Sequence, residues 1–491
     1  MKKSAFLSLS LCMMIAIQSI LLPVQAATIE ETTLPTGAVY EAPAKTPFGQ
    51  VCVQEGCRSI EGMVPLGGSE PKLESAVGVF LFERNTETVI YSYGADLKLP
   101  PGNLAKIVTG IVALQFCKMD DTVTVVEGIK GRLPVSTLTM GLTNNEVVTV
   151  RDLIHALILT DANDAAVALA EHITGNRQGF VPLMNQWVKD IGCTSTEFAT
   201  VHGVDGAASY TTARDMTKIV REALKNPDFA EAFCAAEYEV PATNVNEKTR
   251  TLKTMNYMRD TGVISQFYDQ RITGGIASYE TTSGACLVVT AESKNMDLIG
   301  VVLGCKRQFK ENGWQPSIYG NFEEMAELLK FGFNNYKVNR IVYDDIAMNQ
   351  FTVANGESNA VGKAKVNIDS VVPINAQMKN LTMNYNLEGT LTAPIKAGQK
   401  LGTVELWYRN SCLAEAEVFA MGDVVPASDT GVVIHSTAEM VSSGSKFWNV
   451  VGTIVVIALG LAAAYLGFNA YMRATRRARH RRRRQERRRT R

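Results

Sequence analysis

The sequence predicts an α+β chain. An antiparallel sheet flanked by helices is followed by a small all-β sandwich domain and one transmembrane helix. Three observations carry this. Two paired apolar runs, at 75–96 and 283–304, bracket a stretch of helical periodicity. Residues 339–423 alternate apolar and polar positions without a long helix. Residues 447–472 form a run of 26 residues with no charge, long enough for a helix to cross a hydrocarbon core of roughly 30 Å.

The elements follow in chain order. Residues 1–26 open with Lys2 and Lys3, continue as an apolar stretch from Ala5 to Leu22, and end on Val24-Gln25-Ala26. A basic start, an apolar middle and small residues at the cleavage positions read as a secretory signal peptide cut after Ala26, in preference to an uncleaved anchor. Residues 27–74, rich in Thr, Pro, Gly and Glu, read as a leader or loop. From Ser75, two apolar runs joined by Arg84-Asn85-Thr86-Glu87-Thr88 give a hairpin. Pro100-Pro101-Gly102-Asn103 then stops the strand and opens a helix over 104–116, with Asn103 suited to its N-cap. Residues 151–175 read as two helical stretches around Thr160–Asn163, and 179–191 and 212–225 as further helices. A second hairpin at 283–304 and a closing helix to about 337 complete a domain over 75–338. The β domain at 339–423 has turns at Asn355-Gly356 and Ala397-Gly398. A Ser-, Thr- and Gly-rich stalk at 424–446 leads to the apolar run at 447–472.

A formal net charge of zero conceals a division. Residues 473–491 hold 12 Arg and one Glu, whereas 27–446 carry a net charge of −13. Basic residues beside a span stay on the cytoplasmic side, so the tail is expected inside and 27–446 outside. Anionic lipid headgroups are the expected partner of the tail, rather than nucleic acid, because it abuts the membrane. With 46% hydrophobic and 20% charged residues the chain is not predominantly disordered. Eight cysteines follow Ala26. Cys52 and Cys57 could close a small loop, Cys117 and Cys286 lie in apolar runs as expected buried thiols, and Cys305 is expected to pack in a strand. Five His and no Cys-x-x-Cys pair give no metal-site spacing, and no cofactor is expected.

The order of elements and several motifs resemble the serine D-alanyl-D-alanine carboxypeptidases (peptidase S11, the low-molecular-mass penicillin-binding proteins), over about 75–423. Leu99-Pro-Pro-Gly-Asn-Leu-Ala-Lys-Ile-Val-Thr109 is similar to P-A-S-x-x-K-I-M-T. Asp161-Ala-Asn-Asp-Ala-Ala166, followed by Leu169-Ala-Glu-His172, is similar to S-x-N-D-A-A with L-A-E-H. His202-Gly203 and Tyr210-Thr-Thr-Ala-Arg-Asp-Met216 match two more family stretches. Gly275-Ile-Ala-Ser-Tyr279 with Ser283-Gly-Ala-Cys-Leu287 resembles G-K-T-G-Y with A-G-x-C-L, and Ala393–Gly402 resembles the family's A-P-V-K-x-G-x-x-x-G. The resemblance implies a penicillin-binding/β-lactamase-like domain, a peptidoglycan stem peptide or a cell-envelope protein as partner, and three catalytic motifs.

All three motifs are altered. In the family a Ser attacks the peptide carbonyl, a Lys three residues on takes its proton, a second Ser and its Asn complete the proton path, and Lys-Thr-Gly binds the terminal carboxylate. Here Asn103 stands at the nucleophile position and Asp161 at the second Ser, while Ile276, Ala277 and Ser278 replace Lys-Thr-Gly; Lys106 and Asn163 are retained. Reading Ile272-Thr273-Gly274 as the third motif would still lack the Lys. A carboxamide forms no ester intermediate, and loss of the nucleophile can cost about a million-fold in rate. The residues therefore argue for an inactive homologue with a binding or regulatory role. Two alternatives are an active D,D-carboxypeptidase using Ser278 or Thr109 as nucleophile, and a structural envelope module.

Replacement of the second Ser by Asp while Lys106 stays suggests a buried ion pair that holds the lysine protonated; the alternative is that both face solvent in an opened cleft. Lys, Asn and a carboxylate buried together can also form an intramolecular isopeptide bond, although Asn103 and Lys106 lie one helical turn apart, a poor geometry for it. His202 is expected to hold a loop.

Overall fold

A computed structural model describes residues 58–59 and 70–427, except 134–136, 205–207, 261, 263, 310–315, 378–379 and 409–410. The signal segment, the Cys52–Cys57 loop, the 447–472 run, most of the stalk and the Arg-rich tail lie outside these residues. Among the described residues no helix is long and apolar enough to cross a membrane.

The first hairpin is β1 (Gly78–Glu83) and β2 (Thr88–Tyr93), and the second is β4 (Gly284–Ser293) and β5 (Met296–Cys305). With β3 (Ile272–Glu280) they form one sheet in the order β2-β1-β5-β4-β3, and the short strand Arg58–Ser59 pairs in parallel with β2. The N-terminal hairpin thus joins β5, and the chain returns to the far edge only after all the intervening helices. β4 and β5 are nearly continuous apolar runs because both faces of the sheet are covered. Ile299, Val301 and Leu303 face one core, Leu298 and Val302 the other.

The first core contains α1 (Ala105–Phe116), α2 (Val150–Thr160), α3 (Asn163–Thr174), α4 (Arg177–Asp190), α5 (Ala213–Ala223) and α6 (Pro227–Cys234). The second is closed by α7 (Gly320–Asn335) through Phe322, Met325, Leu328 and Leu329. Gly300 lets α7 approach, since a Cβ there would stand 2.6 Å from Met325 Sδ. The buried Glu324 on α7 accepts from the backbone N–H of Glu74, Ser75 and Ala76 at 2.9, 2.6 and 3.3 Å, fixing where the chain enters the domain. The expected helices lie within a few residues of α1–α5 and α7; the eight-residue α6, opened by Asn226 and Pro227, is an addition.

The β domain begins at Tyr336, directly after α7. One sheet pairs β6 (Tyr336–Val342) with β9 (Ile368–Pro373). A five-stranded sheet runs β7 (Ala347–Phe351), β8 (Ala360–Lys363), β12 (Ser411–Ala420), β11 (Lys400–Tyr408) and β10 (Leu381–Leu387). Both expected turns are present, with Asn355 at φ 57° and Gly398 at φ 79°.

The six cysteines among the described residues form no disulfide with one another. Cys286 and Cys305 are buried as expected, in opposite cores. Cys117 is not: it follows the last residue of α1 and is half-exposed, because the helix ends as it leaves the core.

Candidate functional site: a closed lysine–carboxylate cluster

Three loops and one strand converge on the start of α1. A single 3₁₀ turn, Gly102–Leu104, precedes the helix. Gly102 has φ +54°, and a Cβ there would lie 2.5 Å from Ser283 Oγ and 3.0 Å from Ser278 Oγ. Gly203 has φ +82°, and its Cβ would lie 1.9 Å from Gly102 O. The two glycines therefore let the β3–β4 hairpin and the 200–204 loop press onto the turn that carries Asn103.

Lys106, in the first turn of α1, is fully buried. Its ammonium donates to Asp161 Oδ1 at 2.7 Å, His202 O at 2.9 Å and Asn103 Oδ1 at 3.1 Å. A lysine has three N–H donors, and all three are engaged. Asp161 ends α2 in the left-handed conformation, φ 58° and ψ 33°. Aspartate tolerates that conformation better than most residues, so it suits both the sharp α2–α3 link and the charge beside Lys106. Its Oδ2 accepts from Asn103 Nδ2 at 2.5 Å. Asn103 Nδ2 also donates to Glu280 Oε1 at 3.0 Å, and Asn103 N donates to Ser278 Oγ at 3.0 Å.

The expected ion pair is thus present and sealed from solvent; the opened cleft is not. The N-cap reading of Asn103 does not hold. Leu104 is the cap residue of α1, no side chain caps the helix, and the Asn103 amide turns instead to two carboxylates and Lys106. A polar amide beside buried charge is worth more there than on a helix end already continued by the 3₁₀ turn.

The structure brings together Asn103, Lys106, Asp161 and Ser278 and leaves three expected residues apart. Asn163 donates from Nδ2 to Leu138 O at 3.2 Å and holds the loop before it. Ile276 and Ala277 are buried in the two apolar cores. Sequence reasoning missed Glu280. Its signal was spacing: on β3 it stands two residues from Ser278, and so on the same face of the strand. Thr109, the other suggested nucleophile, is fully buried and donates to Val201 O at 2.6 Å.

Burial governs the electrostatics. It pushes Asp161 up to about 6, against the opposing pull of Lys106. It pushes Lys106 below the usual ammonium range, and Asp161 only partly restores it. Burial thus penalises the charged form of each group, while each partner opposes that shift. Three acceptor oxygens around Nζ call for an ammonium, so the pair stands as an ion pair that burial weakens. His202 is pushed down to about 4, first by burial and then by Lys106 and Arg177. Its Nδ1 accepts from Val204 N at 3.1 Å, so the ring holds its loop, as expected. An open cleft of about 430 Å³ is lined by Arg132, Arg177, Gln178, Thr200 and His202 among others; none of Asn103, Lys106, Asp161 or Ser278 lines it.

Comparison with known proteins agrees with this architecture. The family profile described as D-alanyl-D-alanine carboxypeptidase matches residues 68–307, and that of the penicillin-binding protein 5 C-terminal domain matches 336–426. The chain is 30% identical over 348 residues to the D-alanyl-D-alanine carboxypeptidase DacC of Escherichia coli (strain K12), covering 68% of this chain and 81% of the relative. It belongs to the D-alanyl-D-alanine carboxypeptidase family. Within that family it is also 30% identical to DacA of Haemophilus influenzae over 374 residues, 74% of this chain and 89% of the relative. The solved penicillin binding protein 5 of Haemophilus influenzae superposes with TM-score 0.56 at 27% identity, covering 73% of this chain and all of that one. On this carboxypeptidase scaffold the cluster holds a carboxamide at Asn103 and a carboxylate at Asp161, neither of them a hydroxyl.

Proposed function

We propose that this chain is a membrane-anchored, extracellular and catalytically inert homologue of the D-alanyl-D-alanine carboxypeptidases. It acts in cell-wall metabolism by binding a peptidoglycan stem peptide or a cell-envelope protein. One observation carries the inert reading: the lysine that would take the nucleophile's proton spends all three N–H groups on Asp161, Asn103 and His202 O, and the residue at the nucleophile position is a carboxamide. A general base must reach the proton it removes, and this one faces none. The backbone N–H of Asn103 already donates to Ser278 Oγ and so does not face a substrate carbonyl. Anchoring rests on the sequence alone, on the signal-type segment at 1–26, the uncharged run at 447–472 and the Arg-rich tail.

The test is intact mass of the full chain in detergent, with and without a penicillin, alongside an assay for D-alanine released from muramyl pentapeptide. No adduct and no D-alanine are expected, with the pentapeptide or an envelope protein retained on the immobilised chain. A covalent adduct would overturn the reading and direct attention to Ser278, the buried hydroxyl that touches the cluster.

A further inference from the structure

We infer that Lys106 and Asn103 are a cross-linking pair: the lysine Nζ replaces the asparagine Nδ2 on Cγ, with Asp161 carrying protons between the two nitrogens and ammonium leaving. The feature that points to this is a carboxylate bridging nucleophile and leaving group. Asp161 Oδ1 accepts from Lys106 Nζ at 2.7 Å, while Oδ2 of the same group accepts from Asn103 Nδ2 at 2.5 Å. Glu280 Oε1 stands 3.0 Å from that same Nδ2.

The balance closes without an outside reagent. The Nζ–Cγ bond forms and the Cγ–Nδ2 bond breaks. Starting from the ammonium, two protons pass in turn from Nζ through Asp161 to Nδ2, which departs as ammonium, and Asp161 ends as it began. Nothing is oxidised or reduced. Asn103 lies in the 3₁₀ turn over Gly102–Leu104 and Lys106 in the first turn of α1, and despite the helical spacing the Asn103 carbonyl oxygen lies 3.1 Å from Nζ. Attack needs the face of the amide rather than its edge, and the terminal torsion of asparagine is broad enough to turn it. Burial assists twice. It favours the neutral amine that can attack, and it keeps out the water that would hydrolyse the product.

The inference goes beyond the inert reading and can fail separately from it. A cluster closed by hydrogen bonds is as inert as one closed by an amide, and a penicillin adduct would sink the inert reading by a different measurement. The test is peptide mapping of the full chain, denatured and cut with trypsin. Lys106 in an amide is not cleaved, so the expected product is the peptide from Leu99 to Lys118, lighter by one ammonia. Release of the unmodified peptide ending at Lys106 overturns the proposal. A succinimide at Asn103 would also lose ammonia, but would survive Lys106→Arg; a mass loss that persists in that variant overturns the proposal. Asp161→Asn preserves shape, and with circular dichroism confirming the fold it should reduce the cross-linked fraction from near completion to a trace. Unchanged cross-linking in that variant overturns the role of Asp161.

Discussion

Lys106 Nζ and Asp161 Oδ1 meet 2.7 Å apart, the lysine side chain wholly shielded from water and the aspartate 4% exposed. The pair joins the first turn of α1 to the α2–α3 link, and Asn103 extends the contact to Glu280 on β3. Two carboxylates and one ammonium are therefore held together by an amide that serves both.

Where Lys106 is a free ammonium, as in a chain that lacks the cross-link, breaking this pair from one side leaves a buried charge without its partner. Asp161→Asn should lower stability by about 3–5 kcal/mol. Adding Lys106→Met removes the orphaned charge and should return much of that loss. Urea unfolding of the two single variants and the double variant gives the coupling directly; additive effects would show that the two side chains do not interact.

The pH dependence follows from the upward shift of Asp161 from its ordinary 3.8 to about 6. Between these values the folded chain holds a proton that the unfolded chain has released. The stability this group contributes is complete below pH 3.8 and lost as pH rises through about 6. Relative to Asp161→Asn, the parent chain should lose at most about 3 kcal/mol across that window. Parallel melting curves at both ends of the window would contradict it.

Gly203→Ala tests the convergence of loops. The new Cβ would stand 1.9 Å from Gly102 O at a φ of +82°, so the 200–204 loop must move. Backbone strain alone should cost about 1–3 kcal/mol. The change should also loosen the His202 carbonyl contact with Lys106, seen as faster hydrogen exchange at the start of α1.

The position of Asp161 also depends on the opposite end of α2. There Thr149 and Asp152 form a reciprocal cap, with Thr149 Oγ1 accepting from Asp152 N at 3.1 Å and Asp152 Oδ2 accepting from Thr149 N at 2.8 Å. Thr149→Ala should cost about 1 kcal/mol, read as a lower midpoint in urea with an unchanged slope.

Much of this protein was legible without coordinates. Local periodicity sufficed for both hairpins, for the paired helices at 151–175 and for the turns at Asn355 and Gly398, because each reports backbone preference and one buried face. The ordered motifs named the family, and the opposite charges of Lys106 and Asp161 anticipated their contact. Tertiary structure decided the rest. Glu280 lies 174 residues beyond Lys106 in sequence, and only the sheet order brings β3 against the 3₁₀ turn. Asn103 looked like a helix cap because capping is a local rule; its amide turns inward because two carboxylates and an ammonium surround it. Closure of the site, and with it the extent to which burial weakens the pair of Asp161 and Lys106, depends on how much water the packed loops exclude. That is a property of three dimensions, and no residue pattern encodes it locally.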